Sequence, residues 1–173
     1  MGDRTGGDTV TSEPMTMRLA IIEAQHLVAL IDEFVALLDS PRDAQDAGVQ
    51  RLNPNPYPDS PDDAEQFLRS TRDELTERRV AAALEVRTDL EAFLQTAPAN
   101  GRGSLDEYAV KLADERVDAW MRTLSAIRLV LAARLGIEQQ DAHDPEDVRF
   151  GAYDWLGYRL EVLVQLADEH ERG

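Results

Sequence analysis

The feature that most narrows the fold is a stripe in the second half of the chain. Ala113, Val117, Trp120, Leu124, Ile127 and Leu131 advance by alternating fours and threes until Gly136. That spacing keeps returning to one side of a 3.6-residue helix, so it predicts a helix with one face to bury and a glycine stop. Ser104 followed by Glu107 reads as its capping box, which places the helix over 105–135. Similar patterns recur. From Leu19 the positions Ile22, Leu27, Leu30, Ile31, Phe34, Leu37 and Leu38 repeat at threes and fours until Pro41, and Tyr153, Leu156, Leu160, Leu163 and Ala167 share a face over 150–169. Between them, Ser60, Pro61 and Asp63 supply an N-cap, a first-turn proline and a capping acid. A second capping pair, Thr71 with Glu74, divides 61–97 into a short helix and a longer one, ended by Pro98, Gly101 and Gly103. The fold class expected is all-α: an antiparallel bundle of four to five helices, with an optional short strand at 16–20, "TMRLA".

Length and charge bound the rest. A chain of 173 residues buries roughly 70% of its unfolded surface as a single domain. The glycine- and threonine-rich start, 1–15, has neither caps nor apolar periodicity and is expected to be a disordered leader before one bundle domain over 16–173. There is no cysteine, which excludes disulfides, thiolate metal sites and thiol redox switches. No apolar run approaches the roughly 20 residues that cross a bilayer, and the polar start is unlike a signal peptide, so no membrane is expected and a cytoplasmic location is. The net charge is -16, from 34 acids and 18 bases. Such a surface repels phosphates, which disfavours direct DNA binding and favours protein partners. Arg116, Arg122, Arg128 and Arg134 recur every six residues, a spacing that scatters them around a helix axis instead of forming a basic face.

Candidate chemistry is sparse. Glu23 and His26, in "EAQH", match half of a Glu-x-x-His di-metal element, but His143 and His170 lack the second copy, so a surface or boundary histidine is the plainer reading. "DAHDPED" (141–147) gathers carboxylates without the glycine and distal glutamate of a calcium loop and reads as a solvated acidic connection. "GRG" (101–103) lacks the lysine and the preceding strand of a phosphate loop. No nucleophile, metal set or cofactor loop is recognisable; no cofactor, metal or enzymatic activity is expected. Trp120 and Trp155 at helical spacing are expected in the core, whereas an exposed tryptophan would mark an interface. Arg128, flanked by apolar residues in "SAIRLVLAARL", needs a partner. Glu23, Asp118 or Asp154 would make a structural ion pair; an anion or a partner protein is the other option.

"RLNPNPYPDSPDDAEQF" (51–67) places prolines at 54, 56, 58 and 61 in a connection that runs from about 40 to 60. Connections of that length are usually functional or disordered, and alternate prolines favour an extended path that Tyr57 would anchor. It is either a rigid strap over two helices or a recognition surface made by Arg51, Pro54, Pro56, Tyr57, Pro58 and Asp59.

Three segments carry a resemblance: "RLNPNPYPDSPDDAEQFLRST" (51–71), "WMRTLSAIRLVLAARLGI" (120–137) and "YDWLGYRLEVLVQLAD" (153–168). Together they resemble an actinobacterial family, long filed as a domain of unknown function and described as oxidative-stress transcriptional regulators. Its members often begin with short strand-like segments before the first helix, whereas this chain has a polar leader and at most a short remnant at 16–20. The resemblance implies a regulator of transcription in the oxidative-stress response. With this charge it would act through protein contacts, the transcription machinery among them. The alternative is a non-enzymatic adaptor or assembly module, and a homodimer through an exposed helical face is compatible with either. Without cysteine, a response to oxidant would fall to methionines such as Met15, Met17 and Met121.

Overall fold

Met15, Met17 and Leu19 are buried while Thr16 and Arg18 are exposed, and this alternation makes Met15–Ala20 a strand, β1. The computed structural model describes residues 14–40, 46–53, 63–98, 105–137, 143–144 and 146–172, with backbone alone at 63–70. The remainder of the expected leader, 1–13, lies outside the described residues; Met15, placed in that leader by the sequence, belongs to β1.

β1 runs straight into helix α1, Ile21–Asp39, whose face of Ile21, Ala24, Leu27, Ile31, Phe34 and Leu37 is buried. A short helix, α2, spans Ala47–Leu52. Helix α3, Asp63–Thr96, follows, then strand β2, Glu107–Leu112, helix α4, Asp114–Leu135, a 3-10 turn at Val148–Phe150, and helix α5, Gly151–Arg172. Among the described residues the chain is thus mainly helical, with one two-stranded sheet. β1 and β2 are antiparallel, with Met15 opposite Leu112, Met17 opposite Val110 and Leu19 opposite Tyr108.

Three expectations are corrected. The stretch expected to open the α4 helix is β2. Tyr108, Val110 and Leu112 alternate with Ala109 and Lys111, and that period of two pairs with the equally alternating β1, so Glu107 opens a strand instead of a helix, while Ser104 lies outside the described residues. The helix starts instead after Ala113, with Asp114 and Glu115 in its first turn, where the helix dipole favours acids. Second, α3 is one rod instead of two. Thr71 and Glu74 lie inside it, and no proline or glycine interrupts the strong helix formers between 63 and 96. Third, the connection expected as a long loop over about 40–60 holds helix α2, which Asp46 caps by accepting from the Gly48 and Val49 amides at 2.8 and 3.3 Å.

α3 packs on both α1 and α4, α5 packs on α4 and β1, and α2 packs on α4. Trp120, Leu124, Leu27, Ile31, Leu90, Leu156 and Leu163 are all fully buried where these helices meet. Each such side chain contributes roughly 1.5–3 kcal/mol relative to exposure. Gly136 ends α4 with φ 72°, and its N–H reaches the carbonyls of Ala132 and Ala133. No described helix is long and apolar enough to cross a membrane.

Candidate functional site

The sequence-predicted strip begins at Arg51, which is exposed on α2. Pro54, Pro56, Tyr57, Pro58 and Asp59 lie outside the described residues, so strap and recognition surface both remain expectations. The residue just before them is held firmly. Arg79 of α3 donates to the Leu52 carbonyl at 2.7 Å and to Asn53 Oδ1 at 2.8 Å, fixing the end of α2 against α3.

Arg79 also lines a half-open groove of about 560 Å³ between α3 and α4. Leu75 and Ala82 from α3 and Met121 and Ala126 from α4 give it an apolar lining, and Arg78 and Arg122 stand with Asp118 at its charged side. Arg78 is paired with Glu74 and Arg122 with Asp118, both exposed pairs four residues apart on one helix. Such pairs contribute only about 0.3–0.5 kcal/mol. Arg79 differs. Its partners are a carbonyl and an amide oxygen, so among the described residues its charge faces no carboxylate, and burial pushes its pKa down. Thr123, on the α4 wall, is buried, and among the described residues its hydroxyl has no hydrogen-bond partner. Of the methionines singled out in the sequence, Met15 and Met17 are buried in β1, while Met121 is half-buried in this groove.

Among the described residues Arg128 forms no ion pair with Glu23, Asp118 or Asp154. Its Nε donates to the Tyr153 carbonyl at 3.2 Å and its guanidinium lies 3.9 Å from the centre of the Tyr153 ring. The three carboxylates are otherwise engaged: Asp118 by Arg122, Asp154 by His143 at 2.8 Å, and Glu23 by Arg159 at 2.5 Å. Arg159, missed in the sequence, is the cation that is actually buried. It also donates to the Arg18 carbonyl at 2.9 Å, which ties α5 to β1. The signal was present, since Arg159 falls between Leu156 and Leu163 on the apolar face of α5.

Glu23 is the hub of that cluster. It accepts from the Ala20 amide at 2.9 Å, from Trp155 Nε1 at 2.6 Å and from Arg159. Burial alone pushes its carboxyl up, but the hydrogen bonds from Arg159, Ala20 and Trp155, with the Arg159 charge, outweigh it and hold the pKa below the ordinary glutamate value. Half of the di-metal element is therefore spent on structure, and His26 is exposed. Among the described residues no group of three or more metal-ligating side chains converges. Trp120 is fully buried, with Nε1 donating to Asp89 at 3.0 Å, and Trp155 is half-buried beside Glu23. His143, expected in a solvated acidic connection, is instead tucked against Phe150 and Tyr153, 4.4 and 5.6 Å away between ring centres.

Arg116 reaches Glu85 and Asp89 of α3, and Arg134 reaches Asp46 before α2. With Arg122 and Arg128 already accounted for, the six-residue series forms no basic face. No curated protein and no solved structure matches the chain. A family model matches over residues 3–167. The chain therefore belongs to the family described as Domain of unknown function (DUF2017).

Proposed function

We propose that this protein regulates transcription in the oxidative-stress response by contacting other proteins, the transcription machinery foremost, without strong binding to DNA of its own. The regulatory role rests on the resemblance of the 51–71, 120–137 and 153–168 segments. The mode of action rests on one observation: most of the described arginines are paired with acids of the same chain. Arg18, Arg78, Arg87, Arg116, Arg122, Arg134, Arg149, Arg159 and Arg172 each sit in an ion pair with a carboxylate. Nucleic-acid affinity needs unpaired cations that displace counterions from phosphates, and a chain of net charge -16 has few to offer. Proteins are the partners such a surface suits. The segment from Arg51 to Asp59, starting where Arg79 anchors Asn53, is the proposed contact.

A gel shift on the protein's own promoter tests this reading. At about 150 mM salt, where nonspecific electrostatic binding is weak, the protein alone should leave the DNA unshifted, and adding it should change the complex formed by RNA polymerase. A strong shift by the protein alone would overturn the mode of action. No effect with or without polymerase would count against regulation and leave an adaptor, to be identified by comparing partners recovered by the wild type and Tyr57→Ala.

A further inference from the structure

We propose that the groove between α3 and α4 is a ligand site for a small monocarboxylate with an apolar body, bound with its charge at Arg79 and its body along Met121, Ala82 and Leu75.

Two independent features point to a ligand. The first is Arg79. Its guanidinium has five N–H donors, and two hydrogen bonds, to Leu52 and Asn53, hold it in place without neutralising it. A fixed cation with donors to spare, in a partly desolvated position and facing no carboxylate among the described residues, is arranged to receive an anion. The second is the Thr123 hydroxyl, which is buried, unpartnered and set in the wall of the same groove. Buried hydroxyls normally find a partner, and a ligand in the groove that Thr123 lines would supply one.

The class of ligand follows from the lining. The groove's volume of about 560 Å³ lies within the range of small-molecule sites. Its remaining two arginines are already matched by Glu74 and Asp118, which leaves one positive charge uncompensated among the described residues. A single carboxylate balances that charge. A phosphate dianion would add a surplus negative charge to an already acidic protein. Leu75, Ala82, Met121 and Ala126 require an apolar body to cover them. In a chain without thiols, such a site would give the protein a chemical input. The binding itself is measured on the protein alone, so its outcome is separate from that of the promoter experiment.

Isothermal titration with octanoate, 1-octanol and inorganic phosphate provides the test. Octanoate is expected to bind one site per chain, with 1-octanol and phosphate each weaker by about tenfold or more, the loss expected for a missing charge-assisted hydrogen bond or a missing apolar contact. Arg79→Gln should weaken octanoate by a similar factor and Arg79→Lys by less. Thr123→Val, close to isosteric, should weaken it about threefold to tenfold, the effect of one neutral hydrogen bond. Met121→Trp should fill the groove and abolish binding. Far-ultraviolet circular dichroism verifies folding. If Arg79→Gln disturbs the α2 anchor, Thr123→Val and Met121→Trp decide the matter. Absence of octanoate binding to the wild type at about 10 mM, well above the roughly 1 mM that marks even weak affinity, would overturn the proposal. So would equal binding of 1-octanol, tighter binding of phosphate, or unchanged binding in folded Met121→Trp.

Discussion

Glu23 shows how one residue sets the balance between a tolerated and a costly buried charge. Its carboxylate takes three kinds of donor at once: the Ala20 amide at the start of α1, the Trp155 indole and the Arg159 guanidinium, both from α5. Burying the guanidinium without that partner would leave an unpaired cation, and breaking a buried pair costs about 3–5 kcal/mol. The carboxylate keeps some solvent exposure and Glu107 lies 3.5 Å from Arg159, so the lower end applies. Glu23→Gln is expected to lower unfolding free energy by about 3 kcal/mol at neutral pH, read by urea denaturation. The pH dependence has a definite sign. Because the folded pKa lies below the unfolded one, the carboxylate's stabilisation is fully present above the unfolded value and is lost as pH falls through the folded value. The gap between wild type and Glu23→Gln should therefore narrow as pH drops below the ordinary glutamate range. A gap that stays constant down to the acid transition would refute the charge as its source. In the sequence Glu23 attracted attention for the wrong reason, as half of a metal motif, because spacing along one helix says nothing about which cation a different helix brings to it.

At the scale of elements, the packing of α2 on α4 depends on a glycine. A Cβ added at Gly48 would lie 2.6 Å from Val130 Cγ1 and 3.1 Å from Val130 Cα, so the two helices touch through backbone. The Asp46 cap and its contact with Arg134 at 3.1 Å hold the same pair together. Gly48→Ala should cost about 1–3 kcal/mol through overpacking, even though alanine is the better helix former. A thermal melt showing equal or higher stability would mean that α2 is free to shift. Helix existence was legible wherever apolar residues recur at threes and fours: α1, the core half of α4, and α5 follow from Ile31, Trp120 and Leu156 with their neighbours. β2 was not. "EYAVKL" carries a short period of two beside a capping-like serine, and only its pairing with "MTMRLA", far away in sequence, decides the matter. The groove was equally hidden, because Arg79 and Thr123 sit in unremarkable local patterns and acquire meaning from α2 and from each other.

For the whole molecule, the same junction occurs twice: β1 passes into α1 through Ala20, and β2 into α4 through Ala113, both alanines extended at ψ near 150°. Antiparallel pairing sets Ala20 opposite Glu107 and Met15 opposite Leu112, so α1 and α4 leave from opposite ends of the sheet, which clasps the first and second halves of the chain together. Around this frame lies the excess of acids. Some are engaged across elements, as Asp32 is with Arg87 and Glu85 with Arg116, but 34 acids cannot all be matched by 18 bases. Uncompensated charge of one sign repels itself and destabilises the compact state. Salt screens that repulsion, and it also screens the exposed pairs, which contribute only about 0.2–1 kcal/mol each. Repulsion acts over longer distances and involves more groups, whereas the strongest pair, Glu23 with Arg159, is sheltered from screening by burial. Raising salt from about 10 mM to 300 mM, which shortens the Debye length from about 30 Å to under 10 Å, should therefore raise the melting temperature. A gain of 1 kcal/mol corresponds to about 2–4 °C in a chain of this size. A melting temperature that falls over the same range would assign the stability to exposed ion pairs, and with it would go the view of the acidic exterior as a tolerated cost instead of a source of stability.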